Sequence, residues 1–300
     1  MKTTATLAFA IALLAAATSS QVLAQTAPAN WSGFYVGGNA GFGWGRADTS
    51  QSGSASSFSG APIAFVPNSY SIAGTSERTA LDSVLGGVQA GYNWANRKWI
   101  VGAEADIQVG RQNGNGTIVS PLSGTVCNLV NLQTGQCGNG PPVPSAVNGP
   151  VATMLEGSIG WFGTIRGRLG YLVNDNLLVF GTGGLAYGRV SVSTATNVAV
   201  TVANGLVFAP DSTSAYAAKT NVGFTLGAGL QGTLRSLSPN WTWKVEYLYL
   251  DLGSLDTVAS FALVRSGGGA FYTPITGQVA THTRFTDNIV RVGLNYRLAP

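Results

Sequence analysis

The feature that most limits what this chain can fold into is a two-residue alternation that recurs along most of its length. From Phe34 to Trp44, the residues Phe34, Val36, Ala40, Phe42 and Trp44 alternate with Tyr35, Gly37, Asn39, Gly41 and Gly43. Successive side chains of a strand point to opposite faces, so such a segment is a strand with one apolar face and one small or polar face. The same pattern runs through 84–94, 99–109, 155–171, 222–230, 241–249 and 290–296. In 155–171, Leu155, Ile159, Trp161, Ile165, Leu169 and Tyr171 are read onto the apolar face, and Glu156, Ser158, Thr164, Arg166 and Arg168 onto the other. The segment 177–190 is an eighth strand. Both of its faces are apolar and glycine-rich, which leaves its orientation unassigned.

The connections sort by length. Those at 95–98, 173–176 and 233–240 are short, and those at 46–80, 111–153, 191–217 and 252–283 are long. Short and long alternate strictly, which puts all the short ones at one end. Transmembrane barrels have this asymmetry, with short periplasmic turns and long outer loops. A two-sheet sandwich has no reason to sort its loops by side. The expected fold is all-β: an eight-stranded antiparallel transmembrane β-barrel with four long extracellular loops. Composition agrees, since charged residues are 9% of the chain against roughly 25% in ordinary soluble domains. A lipid-facing exterior and a small, polar interior explain that scarcity. The 16 basic residues are scattered rather than patched, which argues against nucleic acid as a partner.

Residues 1–24 are expected to be a cleaved signal peptide, and residues 25–300 a single outer-membrane barrel domain. Lys2 precedes an apolar run from Leu7 to Ala17, followed by polar residues and then Val22-Leu23-Ala24 as a small-residue cleavage site. Export places Cys127 and Cys137, within the second long loop, in an oxidising compartment, where they are expected to form a disulfide. Aromatic residues mark the short-turn end. Trp31, Trp94, Trp99, Trp241 and Trp243 lie beside short turns or at the start of the first strand, and Tyr171 and Tyr296 end strands there. Together they are expected to form the periplasmic-side aromatic belt, where amphipathic rings settle at a membrane interface.

The segments WSGFYVGGNAGFGWG (31–45), GGVQAGYNW (86–94), GTIRGRLGY (163–171), GTGGLAYG (181–188), KVEYLYLDLG (244–253) and NIVRVGLNYR (288–297) carry a resemblance. Taken together they resemble the outer-membrane immunogenic protein family, small porin-like barrels of Gram-negative bacteria that are distantly similar to OmpA-type barrels. The resemblance covers the strands and not the long loops. It implies an eight-stranded barrel of the cell outer membrane with a surface-antigen role, and porin activity is sometimes ascribed to such barrels. Implied partners are outer-membrane lipid, lipopolysaccharide and, during biogenesis, the barrel-assembly machinery. Family chains usually end in a terminal Phe that signals assembly, whereas this one ends Leu298-Ala299-Pro300.

Catalytic signals are weak. Gly227-x-Gly229-x-x-Gly232 fits a dinucleotide fingerprint by letters, but a turn containing Pro239 and then a strand follow it, with no helix to hold a pyrophosphate. One histidine, His282, excludes a His-pair metal site. Its Thr-His-Thr-Arg context lacks the His-x-Ser of barrel deacylases, and it reads as a solvated loop residue. No enzyme, cofactor or metal is expected.

The non-lipid faces instead suggest a charged layer. About five residues inward from Trp99, Tyr171, Trp241 and Tyr296 stand Glu104, Arg166, Glu246 and Arg291. That distance is about 13 Å of depth, near the middle of a band about 25 Å tall. Glu104–Arg166 and Glu246–Arg291 are the expected pairs, with Asp106, Arg168 and Lys244 flanking them. An eight-stranded barrel has room for side chains and little else. The functional expectation is a structural, surface-exposed outer-membrane protein with a largely plugged lumen, and the alternative is a narrow porin-like diffusion channel.

Overall fold

The computed structural model describes residues 31–61, 64–126, 145–202, 208–234, 238, 240–264 and 273–298. Eight long strands alternate up and down: β1 (Gly33–Ala61), β2 (Ala64–Asn96), β3 (Trp99–Val126), β4 (Ser145–Asn174), β5 (Leu177–Val198), β7 (Asp211–Thr233), β8 (Trp241–Leu263) and β9 (Ile275–Arg297). A two-residue strand, β6 (Thr201–Val202), pairs with β4 at Val147 and Asn148. Each long strand pairs antiparallel with the next, and β1 pairs with β9, which closes the sheet into a ring. Closure leaves the membrane-crossing strands without an open edge.

The long connections differ from their expected form, because most of their residues are strand. Residues 46–61 and 64–80, for example, are the upper halves of β1 and β2, paired from Arg46↔Ala80 out to Ala61↔Ala64. Their Ser, Thr, Gly and Ala residues lack the helix signals or proline clusters that would stop a ladder once a register is set. A 23-residue strand such as β8 climbs about 60 Å at a rise of 3.3 Å and a tilt near 40°, more than twice the apolar band. The barrel wall therefore continues well beyond the membrane.

Within the band the faces fall as the alternation requires. Phe34, Val84, Val88, Ile107, Leu169 and Leu226 are exposed, while Asn39, Gln89, Gln108, Thr225 and Asn295 are buried. The orientation left open by sequence is settled for β5: Leu178, Phe180, Thr182, Ala186 and Val190 point inward.

β4 departs from the expected faces. Leu155 and Ile159 are buried and Glu156 is exposed, whereas Ile165 and Leu169 are exposed and Arg166 and Arg168 are buried. The reason is a register shift between Ile159 and Phe162, where Gly160 and Trp161 together oppose the single residue Arg189. Such a bulge reverses the alternation of one strand while its neighbours continue. A second shift lies on β8 between Asp251 and Ser254. There Gly253 adopts φ 71°, a left-handed conformation that favours glycine, and donates its N–H to Asp251 Oδ1 at 2.8 Å.

The interior is also less uniformly polar than expected. Above the charged layer sits an apolar cluster that includes Leu81, Leu85, Ile159, Phe162, Val190, Leu248, Leu250, Phe285 and Ile289. A second one further out includes Tyr70, Ile72, Leu122, Val147, Val151, Phe261 and Ile275. Between them lies a polar tier, with Thr49 and Thr283 hydroxyls 2.9 Å apart and Gln51 donating to Ser120 at 3.0 Å. Where the wall projects past lipid, inward apolar packing holds it together as in a soluble core.

Candidate functional site

The charged layer is built from the inward faces of four strands. β3 supplies Glu104 and Asp106, β4 supplies Arg166 and Arg168, β8 supplies Lys244 and Glu246, and β9 supplies Arg291. Glu104 is register partner to Arg166, and Glu246 to Arg291. The seven side chains are 0–1% exposed.

Arg166 is the hub. It ion-pairs with Glu104, donates to Asp106 Oδ2 at 2.8 Å, and reaches Glu246 Oε1 on the far wall at 2.6 Å. Its remaining N–H groups donate to Thr164 at 2.9 Å and Thr182 at 3.0 Å. Arg291 donates to Glu246 Oε2 at 2.9 Å and crosses to Asp106 Oδ2 at 2.9 Å. Lys244 crosses to both oxygens of Glu104 at 2.8 and 2.9 Å. These crossings from β8 and β9 to β3 and β4 were not legible in sequence, which shows only ladder neighbours.

The layer holds four cations against three carboxylates. Arg168 is the cation furthest from a carboxylate, 4.0 Å from Glu104. It is compensated by other means: its guanidinium lies 4.1 Å from the Phe180 ring centroid, and it donates to Gln231 at 2.8 Å and Tyr35 at 3.3 Å. Tyr35 in turn donates to Glu104 Oε2 at 2.7 Å. Tyr35, Phe180 and Gln231 complete the network, and none was singled out from sequence. The signal available for Tyr35 was its place as the one large residue on the small face of its strand. Burying an ion costs several kcal/mol unless partners surround it, and this density of partners is what makes seven buried charges tolerable.

At the short-turn end, Trp94, Trp99, Tyr171 and Tyr296 are exposed on the outer wall, and Trp241 and Trp243 are partly so. Trp99 packs edge-on to Tyr171 at 5.2 Å, and Trp241 to Tyr296 at 5.3 Å. Trp31 does not join them. It is 3% exposed, donates its indole N–H to the Asp175 carbonyl at 3.2 Å, and lies under the Arg297 guanidinium at 5.4 Å. It precedes the first residue of β1, so its side chain can fold into the barrel mouth instead of following the strand's alternation. A second girdle, not anticipated, rings the other interface: Phe42–Trp44, Trp44–Tyr247, Trp161–Tyr187 and Phe224–Tyr249 have centroids 6.0–6.5 Å apart.

The chain matches the family described as "Outer membrane protein beta-barrel domain" over residues 9–297. It belongs to that outer-membrane β-barrel family. Its relatives include the "31 kDa outer-membrane immunogenic protein" of Brucella melitensis and of Brucella suis. Each is 34% identical over 300 residues, covering 98% of this chain and 94% of the relative. The "22 kDa outer membrane protein" of Rhizobium leguminosarum is 39% identical over 102 residues, 34% of this chain and 38% of the relative. Among solved structures, Ail of Yersinia pestis aligns at 11% identity with a TM-score of 0.26, covering 82% of this chain and 98% of that one, a likeness too distant to bear on the fold. As a family member the protein resides in the outer membrane, with its long connections on the outer side.

The remaining candidates have structural roles. Gly227, Gly229 and Gly232 lie on β7 between β5 and β8, where a Cβ on Gly229 would collide with the Val245 carbonyl and one on Gly232 would meet the Trp243 ring at 2.5 Å. They are glycines for close wall packing, without a phosphate-binding turn. His282 is exposed on β9, its Nδ1 2.6 Å from Asp256 Oδ1. Among the described residues, no group of three or more metal-ligating side chains converges. Cys127 and Cys137 lie outside the described residues.

Proposed function

We propose that this protein is a structural, surface-exposed outer-membrane barrel whose lumen is closed to solutes, and that it carries no enzymatic activity. The observation that supports this best is Arg166, which links Asp106 on its neighbouring strand to Glu246 on the far wall while itself 0% exposed. Two opposite walls joined through one guanidinium put side chains across the lumen at that depth, which supports a closed barrel. The indole of Trp31 at the periplasmic mouth and the apolar clusters above add further layers. The immunogenic outer-membrane character named for the Brucella relatives supports a surface role, in which the projecting strands face the surroundings.

On this reading residues 1–24 direct export. The partners are outer-membrane lipid and lipopolysaccharide, with the barrel-assembly machinery during biogenesis. Conductance across a planar bilayer tests it. Wild-type barrel should give no discrete channel steps, and Arg166→Ala should give measurable ones. Porin-sized steps from the wild type would instead establish the narrow diffusion channel.

A further inference from the structure

We propose that the outer wall of β3, β4 and β5 holds the anionic head of a phosphorylated glycolipid of the outer leaflet, between Arg111 and Arg189. This deepens the partner side of the reading above and rests on the wall contacting lipopolysaccharide.

Depth comes first. Counting about twelve residues outward from Phe34, Trp99, Leu177 and Tyr296 reaches Arg46, Arg111, Arg189 and Arg284. At 3.3 Å rise and about 40° tilt this is about 30 Å, just past an apolar band about 25 Å tall, where lipid head groups begin. All four side chains are outward and exposed, but they are not equivalent. Arg46 lies 3.5 Å from Asp48, which also accepts from Arg78 at 2.8 Å, and Arg284 lies 2.5 Å from Asp251. On that side of the barrel the wall supplies its own counter-ions. Among the described residues, Arg111 and Arg189 have no carboxylate in ion-pair range.

The bulge on β4 brings these two cations to one notch. Val109↔Trp161 and Gln112↔Ile159 bracket Arg111 beside Gly160 on one side. Val190↔Ile159 and Gly188↔Phe162 bracket Arg189 on the other. Gly160 is exposed, and a Cβ built on it meets nothing nearer than the Arg189 carbonyl at 3.9 Å. Two guanidiniums on strands about 10 Å apart therefore flank an open floor, an arrangement suited to a shared phosphate.

What lies below and above the notch completes an amphiphile's profile. Immediately below, the Trp161 and Tyr187 rings pack edge-on at 6.1 Å, and exposed Ile107, Ile165 and Leu185 continue into the lipid zone. Above it, Ser158 and Ser191 hydroxyls lie 2.7 Å apart, with Asn113 in register beside them. Acyl chains, phosphate and sugar hydroxyls thus each meet matching chemistry in the order in which a phosphorylated glycolipid presents them.

The test uses the purified full barrel in detergent. Its probes are bisphosphorylated hexa-acyl lipid A, the same glycolipid without phosphates, phosphatidylcholine, and inorganic phosphate alone, with retained lipid counted by native mass spectrometry. Wild type should favour the bisphosphorylated form by about tenfold over the dephosphorylated one. Arg111→Gln/Arg189→Gln should abolish that preference. So should Gly160→Glu, which supplies an internal counter-ion in open space. Arg46→Gln/Arg78→Gln, on the neutralised side, should keep it. A preference that survives in the first two variants overturns the site while leaving lipopolysaccharide contact standing. A wild type that favours neither glycolipid over phosphatidylcholine overturns both. Competition by inorganic phosphate as effective as that by the lipid would mean a free-anion site and would also overturn the proposal.

Discussion

The lower and upper halves of β4 are inside out with respect to one another. Below Gly160, Ile165 and Leu169 face lipid while Arg166 and Arg168 face the lumen; above it, Leu155 and Ile159 face inward while Glu156 faces water. Each half obeys the same rule, that apolar groups leave water and buried charges find partners. Only the location of water differs. In the membrane the outside is hydrocarbon, so the inside must hold the polar groups. Beyond the membrane the outside is aqueous, so the inside becomes a hydrophobic core. β3 makes the same change without reversing its faces: across the register shift at Gly110 and Arg111 its inward positions keep their alternation and switch from Glu104 and Asp106 to Ile118 and Leu122. One strand changes by geometry and its neighbour by composition.

The most severe way to break this comparison is to delete Gly160. A straightened β4 must turn either Glu156 and Ser158 inward or Arg166 and Arg168 toward lipid. The expected outcome is loss of the folded barrel, read as loss of the heat-modifiable form on gel electrophoresis. A heat-modifiable, native-like barrel would mean that the wall absorbs the slip elsewhere.

Arg166→Ala keeps the strand but leaves Glu104, Asp106 and Glu246 short of their shared cation. About 3–5 kcal/mol of stability should be lost, measured as a shift of the urea midpoint in detergent. An unchanged midpoint would mean that Lys244 and Arg291 suffice.

A matched pair sharpens the contrast between the outer surfaces. Val292 and Val258 are 46% and 52% exposed, but Val292 lies at membrane depth and Val258 on the projecting wall. Val292→Arg should cost about 2–4 kcal/mol, and Val258→Arg should stay within about 0.5 kcal/mol. Equal costs would put the membrane boundary in the wrong place.

The smallest effect is expected at Cys127 and Cys137. Denatured, unreduced protein should show no labelled thiol, and two labelled thiols would refute the disulfide. Closing so short a loop restricts the unfolded chain by about 3 kcal/mol in the chain-entropy picture. Reduction should nonetheless barely move the barrel's melting temperature, because the wall ladders hold without it.

The period-two pattern by itself determined that the chain is a barrel, because eight segments with one apolar face and sorted connections have few other ways to bury that face. It also located the charged layer, since Glu104, Arg166, Glu246 and Arg291 stand at equal offsets from interfacial aromatics. Alternation is a local property, and it ends wherever two residues oppose one. The bulge at Gly160 and Trp161 is invisible in a sequence that still alternates on paper, so the upper faces of β4 and the notch between Arg111 and Arg189 are fixed only by strand pairing. The orientation of β5 required its neighbours too, because glycine and leucine on both faces carry no preference of their own. Which charges touch across the lumen, beyond the ladder neighbours Glu104–Arg166 and Glu246–Arg291, was likewise decided only by closure. Lys244 and Glu104 are 140 residues apart and meet because β1 pairs with β9, curving the sheet until its far strands share one lumen.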